Sequence, residues 1–190
     1  DGWTERQRFS SPAEANADGF GAAITFVGDR LLVGAPGATS ADGVDGAGRV
    51  FEFRMDGGGW QHAGELTVDA NTDATFGAPI VAQDDRVMIG APFDDQSMGA
   101  VFVFERNGDS WSTVGRMGHP EAQEGDVFGS AIAVDGTDVW IGSPVTRGLE
   151  TGETFVATAA GMQRFRFTEE ETNNEDSFGH RIVVSNGVAA

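Results

Sequence analysis

Two short marks recur along the chain at a constant interval, and a fixed interval constrains a fold more than any local propensity does. Phe-Gly stands at Phe20-Gly21, Phe76-Gly77, Phe128-Gly129 and Phe178-Gly179. A second mark, Gly34-Ala35-Pro36, Gly90-Ala91-Pro92 and Gly142-Ser143-Pro144, begins 13 residues after each of the first three Phe-Gly glycines. Between them lie two short apolar runs around a polar turn, as in Ile24 to Val33, which is the pattern of an antiparallel hairpin. Other features keep step. Gly48 to Phe53 and Gly99 to Phe104 alternate apolar and other residues like strands, and Trp3, Trp60 and Trp111 stand 17, 16 and 17 residues before the next Phe-Gly phenylalanine.

Each unit of about 50 residues therefore predicts four short antiparallel strands. The units run over 18–66, 74–117, 126–167 and a truncated 176–190, with 1–10 expected as the last strand of a preceding unit. A lone four-stranded sheet exposes both faces and buries them by stacking on its neighbours, which is how β-propeller blades are built. The expected fold class is thus all-β, a β-propeller segment of about three complete blades with partial blades at both ends. In this scheme the glycine of Phe-Gly permits close backbone approach at a crowded centre, and the phenylalanine fills the space between blades. Proline after Gly-Ala ends the second strand, because it cannot donate to a ladder. Twenty-eight glycines against six prolines fit a chain of many tight turns.

The third unit departs from the pattern. After Pro144 comes a longer stretch to Ala160, then Gly161 to Phe167 as the expected counterpart of the Val-Phe-x-Phe strand, with no tryptophan after it. The last strand of that unit is expected to be degenerate, or the extra residues to form a distinct loop. The fourth unit stops inside its second strand, so about 15 strands are expected, a slice of a longer protein; a four-bladed ring completed by the first strand is the lesser alternative.

On these residues the chain resembles the FG-GAP repeat family, whose blades build the head propeller of integrin α chains and many microbial surface proteins. The resemblance spans essentially all 190 residues. It implies an extracellular or cell-surface module of a larger protein that acts without catalysis, in adhesion or in protein or glycan binding. Integrin-like blades often carry an Asp-x-Asp-x-Asp-Gly calcium loop between their first two strands. Here those turns are Val27 to Arg30, Gln83 to Arg86 and Val134 to Asp138, too short to supply six to eight oxygen ligands. The chain is closer to the calcium-free microbial branch, so no cofactor or metal is expected, and weak calcium binding in acidic loops is the minor alternative.

Charge bounds the partners. The net charge is −18, and all twelve basic residues are arginine. Such a surface repels phosphate backbones and anionic lipids, so neither nucleic acid nor a membrane is an expected partner. Dense carboxylates without lysine also fit a protein adapted to high salt. There is no cysteine, hence no disulfide or thiolate chemistry, and no apolar run approaches the ~18 residues needed to cross a bilayer.

Candidate ligand contacts sit in loops that follow Gly-Ala-Pro: Asp42 and Asp45, Phe93, Asp94, Asp95 and Gln96, and Arg147 and Glu150. Paired aspartates in tight turns serve more often as local hydrogen-bond formers than as ligands. His62, His119 and His180 have no metal-ligand spacing. The first strands, Ala22 to Phe26, Ala78 to Ala82 and Ser130 to Val134, are small and apolar, which opposes catalysis in a central channel; His180-Arg181 is the sole polar break. Two alternatives to binding are a structural subunit of a filament or surface layer, and a polysaccharide-acting catalytic propeller.

Overall fold

A computed structural model describes residues 2–13, 17–69, 73–145, 152–158, 161–165, 179–185 and 188–189. The chain is all-β, with three four-stranded antiparallel sheets, each a simple up-and-down meander. The first sheet holds β1 (Ile24–Val27), β2 (Arg30–Ala35), β3 (Arg49–Asp56) and β4 (Gly59–Leu66). The second holds β5 (Ile80–Gln83), β6 (Arg86–Ala91), β7 (Ala100–Asn107) and β8 (Ser110–Met117), and the third β9 (Ala131–Asp135), β10 (Asp138–Ser143), β11 (Glu153–Thr158) and β12 (Gly161–Phe165). A two-stranded pair follows, β13 (Val184–Ser185) and β14 (Val188–Ala189).

The strand boundaries follow the punctuation. β2, β6 and β10 each end on the residue before Pro36, Pro92 and Pro144, where the ladder loses its donor. Each of the first three Phe-Gly pairs lies just ahead of a first strand and is tied to the second strand by a hydrogen bond. The N–H of Gly21, Gly77 and Gly129 donates to the carbonyl of Gly34, Gly90 and Gly142 at 2.9, 3.1 and 2.9 Å. A register shift at the same place in β3–β4 and β7–β8, beside Glu52/Phe53 and Val103/Phe104, gives the first two sheets the same bulge.

The third sheet corrects the sequence expectation. Its third strand is Glu153–Thr158, and Gly161–Phe165 is the fourth, so the unit has its full set of strands. The physical reason is Phe155, which pairs with Ile141 and is fully buried, as Phe51 pairs with Val33 in the first sheet. Gly152-Glu153-Thr154-Phe155 thus repeats Gly48-Arg49-Val50-Phe51, and the extra residues lie in the loop before it. Residues 2–10, expected as a strand, have no regular secondary structure. They are held instead by the Gln7 carboxamide, which accepts from the Trp60 N–H at 2.8 Å and donates to its carbonyl at 2.7 Å.

Successive sheets pack on one another through their phenylalanines. Phe76 is fully buried among Val27, Leu32, Val50 and Leu66 of the first sheet and Ile89, Phe102 and Phe104 of the second. Phe128 does the same between Met88 and Val101 of the second sheet and Ile141 and Phe155 of the third. The contact continues in the backbone. Phe76 and Phe128 donate their N–H to Ala47 and Met98, one sheet back, at 3.0 and 3.1 Å. A Cβ on Gly34 would fall on the carbonyl oxygen of Gly77, and Gly90 and Gly142 face Gly129 and Gly179 in the same way. Only a residue without a side chain permits that approach. Phe20, the first of the series, packs on Phe51 and Phe53; Phe178 lies outside the described residues. As a result β1 lies against β5, β5 against β9, and β9 against β13.

Candidate functional site

In an up-and-down sheet, the loop from second to third strand and the crossover from fourth strand to the next sheet leave the same end. That end carries the sequence candidates. Its surface is assembled by hydrogen bonds between each loop and the following crossover: Thr75 N–H to Gly46 O at 2.9 Å, and Val127 N–H to Ser97 O at 2.8 Å. The crossover around Asp73 to Phe76 separates the first two loops, for Gly46 lies against Asp73 on one side and the Phe93 N–H reaches Ala74 O at 3.3 Å on the other.

Within this end the candidates divide. Asp45 is exposed but accepts from the Thr39 hydroxyl at 2.9 Å, a turn-forming role, and Asp42 is exposed beside it. Asp94 is buried and takes the Arg116 guanidinium at 2.8 Å; Arg116 also lies over the Phe102 ring. Phe93, Asp95 and Gln96 are exposed. The backbone here is unusual: Asp95, Gln96 and Ser97 have φ of 50°, 60° and 64°, three successive non-glycine residues in the left-handed region. Each costs roughly 1–2 kcal/mol. The turn is held by Ser97 N–H to Phe93 O and Gly99 N–H to Asp94 O at 3.2 and 3.0 Å, and by the Asp94–Arg116 pair. Phe93, Asp95 and Gln96 stand exposed on this hydrogen-bonded backbone. Arg147 and Glu150 lie outside the described residues.

Two polar clusters were not visible in the sequence. The first is buried beneath this end. The Glu121 N–H donates to His119 Nδ1 at 3.0 Å, which leaves the ring proton on Nε2, 3.3 Å from Glu153 Oε2. Asp126 Oδ2 lies 3.8 Å from His119 Nδ1 and accepts from the Gln123 N–H at 2.7 Å. Both carboxylates are fully buried, and the set ties the crossover to β11. Its position echoes the first repeat, where Ser11 bonds Asp18; His119 and Ser11 each stand nine residues before a Phe-Gly phenylalanine.

The second cluster joins the first two sheets at their opposite end. Arg30 is buried among three carboxylates: Asp29 at 3.0 Å, Glu52 at 2.6 Å and Asp109 of the second sheet at 2.6 Å. Arg54 bridges Glu52 and Asp109, and Arg106 reaches back to Asp29 and to Asp85. The Trp111 indole donates to the other Glu52 oxygen at 2.7 Å. Desolvation acts to raise the Asp29 carboxyl, but the hydrogen bond from Arg30, one from its own backbone, and the charges of Arg30 and Arg106 outweigh it, so its pKa lies below the ordinary 3.8. Desolvation likewise opposes the charge on Arg30, and Asp109, Glu52 and Asp29 more than offset that, raising its pKa.

Among the described residues, no three His, Asp or Glu side chains converge as metal ligands, and no helix is long and apolar enough to cross a membrane. The chain matches no protein-family model and no curated protein.

Proposed function

We propose that the chain is a segment of a β-propeller built from FG-GAP-like repeats, an extracellular or cell-surface module that binds a protein or glycan without catalysis. The observation that carries the propeller reading is the recurrence of one sheet-to-sheet contact, Gly34 on Gly77, Gly90 on Gly129 and Gly142 on Gly179, with first strands adjacent throughout. A contact repeated on the same residues is what radial repetition of sheets calls for. Ligand binding is assigned to the end that carries the second-to-third-strand loops, with Phe93, Asp95 and Gln96 at its best-defined point. An exposed aromatic beside two polar groups on a backbone held in a costly conformation suits recognition, where order before binding saves affinity.

The test is binding of the labelled chain to immobilised glycans and to extracellular-matrix proteins. Wild type is expected to bind a member of one set, and a Phe93→Ala, Asp95→Ala, Gln96→Ala variant to lose at least tenfold in affinity with an unchanged melting temperature. Equal binding by the two proteins would move the site elsewhere.

A further inference from the structure

His119 is buried between two carboxylates, and it stands on the crossover that holds the left-handed turn. Its side chain is 2% exposed, with Glu153 Oε2 3.3 Å from Nε2 and Asp126 Oδ2 3.8 Å from Nδ1. The two nitrogens are in different states. Nδ1 accepts the Glu121 N–H at 3.0 Å, so it carries no proton, and 3.8 Å is too long for a bond to Asp126. Asp126 Oδ2 instead accepts the Gln123 N–H at 2.7 Å. Charged groups thus face the ring from two elements, Asp126 from the crossover itself and Glu153 from β11. The other neighbours are uncharged: Phe128 and Phe155 meet the ring edge-on, and the Ser143 hydroxyl of β10 donates to the Asp126 carbonyl at 2.8 Å.

Acid changes this pattern at one atom. Histidine is the side chain whose ordinary charge change falls between pH 5 and 8. A proton on Nδ1 turns it from acceptor to donor, so the Glu121 N–H loses this bond and the new N–H has Asp126 Oδ2 to turn to, about 1 Å beyond bonding distance. An imidazolium so placed has a carboxylate on each nitrogen, the pairing that a buried charge requires. To meet it, the Asp126 carboxylate must move away from the Gln123 N–H. The next residue feels that move. Val127 has φ of 50°, a costly conformation for a β-branched residue that persists only while its flanks are held. Its N–H donates to Ser97 O at 2.8 Å and the Phe128 N–H to Met98 O at 3.1 Å, so the same two residues hold the turn that carries Phe93, Asp95 and Gln96. The equivalent places before Phe76 are Thr67 and Ala74, and before Phe20 they are Ser11 and Asp18; neither crossover has the histidine.

We propose that His119 is a proton-operated latch on the loop-bearing end. Unprotonated at Nδ1 it holds the Glu121 amide; protonated there it exchanges that amide for Asp126 and loosens the hold of Val127 and Phe128 on the Ser97–Met98 turn. The choice of partner at Nδ1 is the two-state element. As a regulator of binding the latch rests on the ligand-binding reading of that end, but the conformational change is read without any ligand. The experiment is nitrogen-15 NMR of the 190-residue chain, titrated downward from pH 8 until it unfolds. The His119 Nδ1 resonance is expected to pass from the unprotonated to the protonated range. The Glu121 amide proton should shift upfield as its hydrogen bond is lost, and the Val127 and Phe128 amides should move with the same midpoint. His62 and His180 are exposed and supply reference titrations in the same spectra. His119→Gln keeps a donor for Glu153 and an acceptor for Glu121 but takes up no proton, so all three amides should stay at their high-pH positions. The proposal is overturned if Nδ1 stays unprotonated until the chain unfolds, if the Val127 and Phe128 amides do not move with His119, or if their shifts persist in His119→Gln; the wild-type titration decides the first two even if the variant does not fold. Failure to find a glycan or protein ligand would refute the binding reading and leave the latch standing.

Discussion

Replacing Gly34 with alanine adds one methyl group at the point where the first two sheets touch. The new Cβ would occupy the space of the Gly77 carbonyl oxygen and lie 3.2 Å from Ile80 Cδ1. The obstacle is backbone inside a hydrogen-bonded network, because the Gly77 N–H donates to Gly90 at 3.1 Å; it cannot turn aside as a side chain would. To restore a contact of ordinary length the second sheet must retreat by about 1.5 Å, and a gap of even ~1 Å forfeits about half of the dispersion energy of the atoms facing it. Those atoms belong to Phe76, Val27, Leu32, Val50 and Ile89, all fully buried. Overpacking of a core costs typically 1–3 kcal/mol, and the upper end, about 3 kcal/mol, is expected here because an entire interface moves. For a chain of this length that lowers the melting temperature by roughly 6–12 °C. Gly115→Ala is the control: its Cβ would meet nothing closer than Val103 at 3.8 Å, and removing a strand glycine should raise stability by about 0.5 kcal/mol. Thermal unfolding followed by circular dichroism reads both. If Gly34→Ala melts with wild type, the glycine contact does not hold the sheets together.

Three further outcomes follow from the same geometry. Phe76→Ala should cost about 3–5 kcal/mol in urea unfolding, since it empties the space between two sheets; a loss below about 1 kcal/mol would mean the sheets do not close on this ring. Asp29 has a folded pKa below its ordinary 3.8, so it adds stability above that value and loses it as pH falls through the lower folded value. Asp29→Asn should therefore flatten the decline in urea stability below about pH 4, and profiles that superimpose would remove Asp29 from the inter-sheet network. With a net charge of −18, self-repulsion should be relieved in molar potassium chloride, where the Debye length is about 3 Å. Melting temperature should rise with salt; a fall would show that the exposed pairs, Arg86–Glu105 and Arg106–Asp85 among them, outweigh the repulsion.

The parts of the fold that were legible in the sequence are those the repeat writes more than once. Phe76 and Phe128 fill equivalent spaces, and Pro36, Pro92 and Pro144 end equivalent strands, so spacing alone located them. The third strand of the third sheet was misplaced because its Thr154-Phe155-Val156 core is followed at once by a second apolar run, Gly161 to Phe167, that looked more like the pattern. The network around Arg30 was hidden for the opposite reason. Among the described residues it occurs at one interface: Val103 stands in the place of Glu52, and Met88 in that of Leu32, so no period reveals it. Trp60 and Trp111 keep step with the repeat and both pack, but the indole bond from Trp111 to Glu52 joins residues 59 apart and has no local signal. Of the candidate loop residues, Asp94 could not be told from Asp95 in sequence; burial against Arg116 separates them, and the left-handed turn that follows contains no glycine to announce it.

The central claim, a radial fan of sheets with first strands innermost, is tested most directly by pulsed electron resonance between spin labels on the first and third sheets. The chain has no cysteine, so cysteine pairs can be placed freely. One pair, Asp29→Cys with Thr137→Cys, marks the turns beside the first strands, and the other, Gln61→Cys with Met162→Cys, marks the fourth strands. A fan requires the fourth-strand pair to be clearly farther apart than the first-strand pair. Equal separations near 20 Å, the spacing of two flat sheet-to-sheet steps, would contradict it.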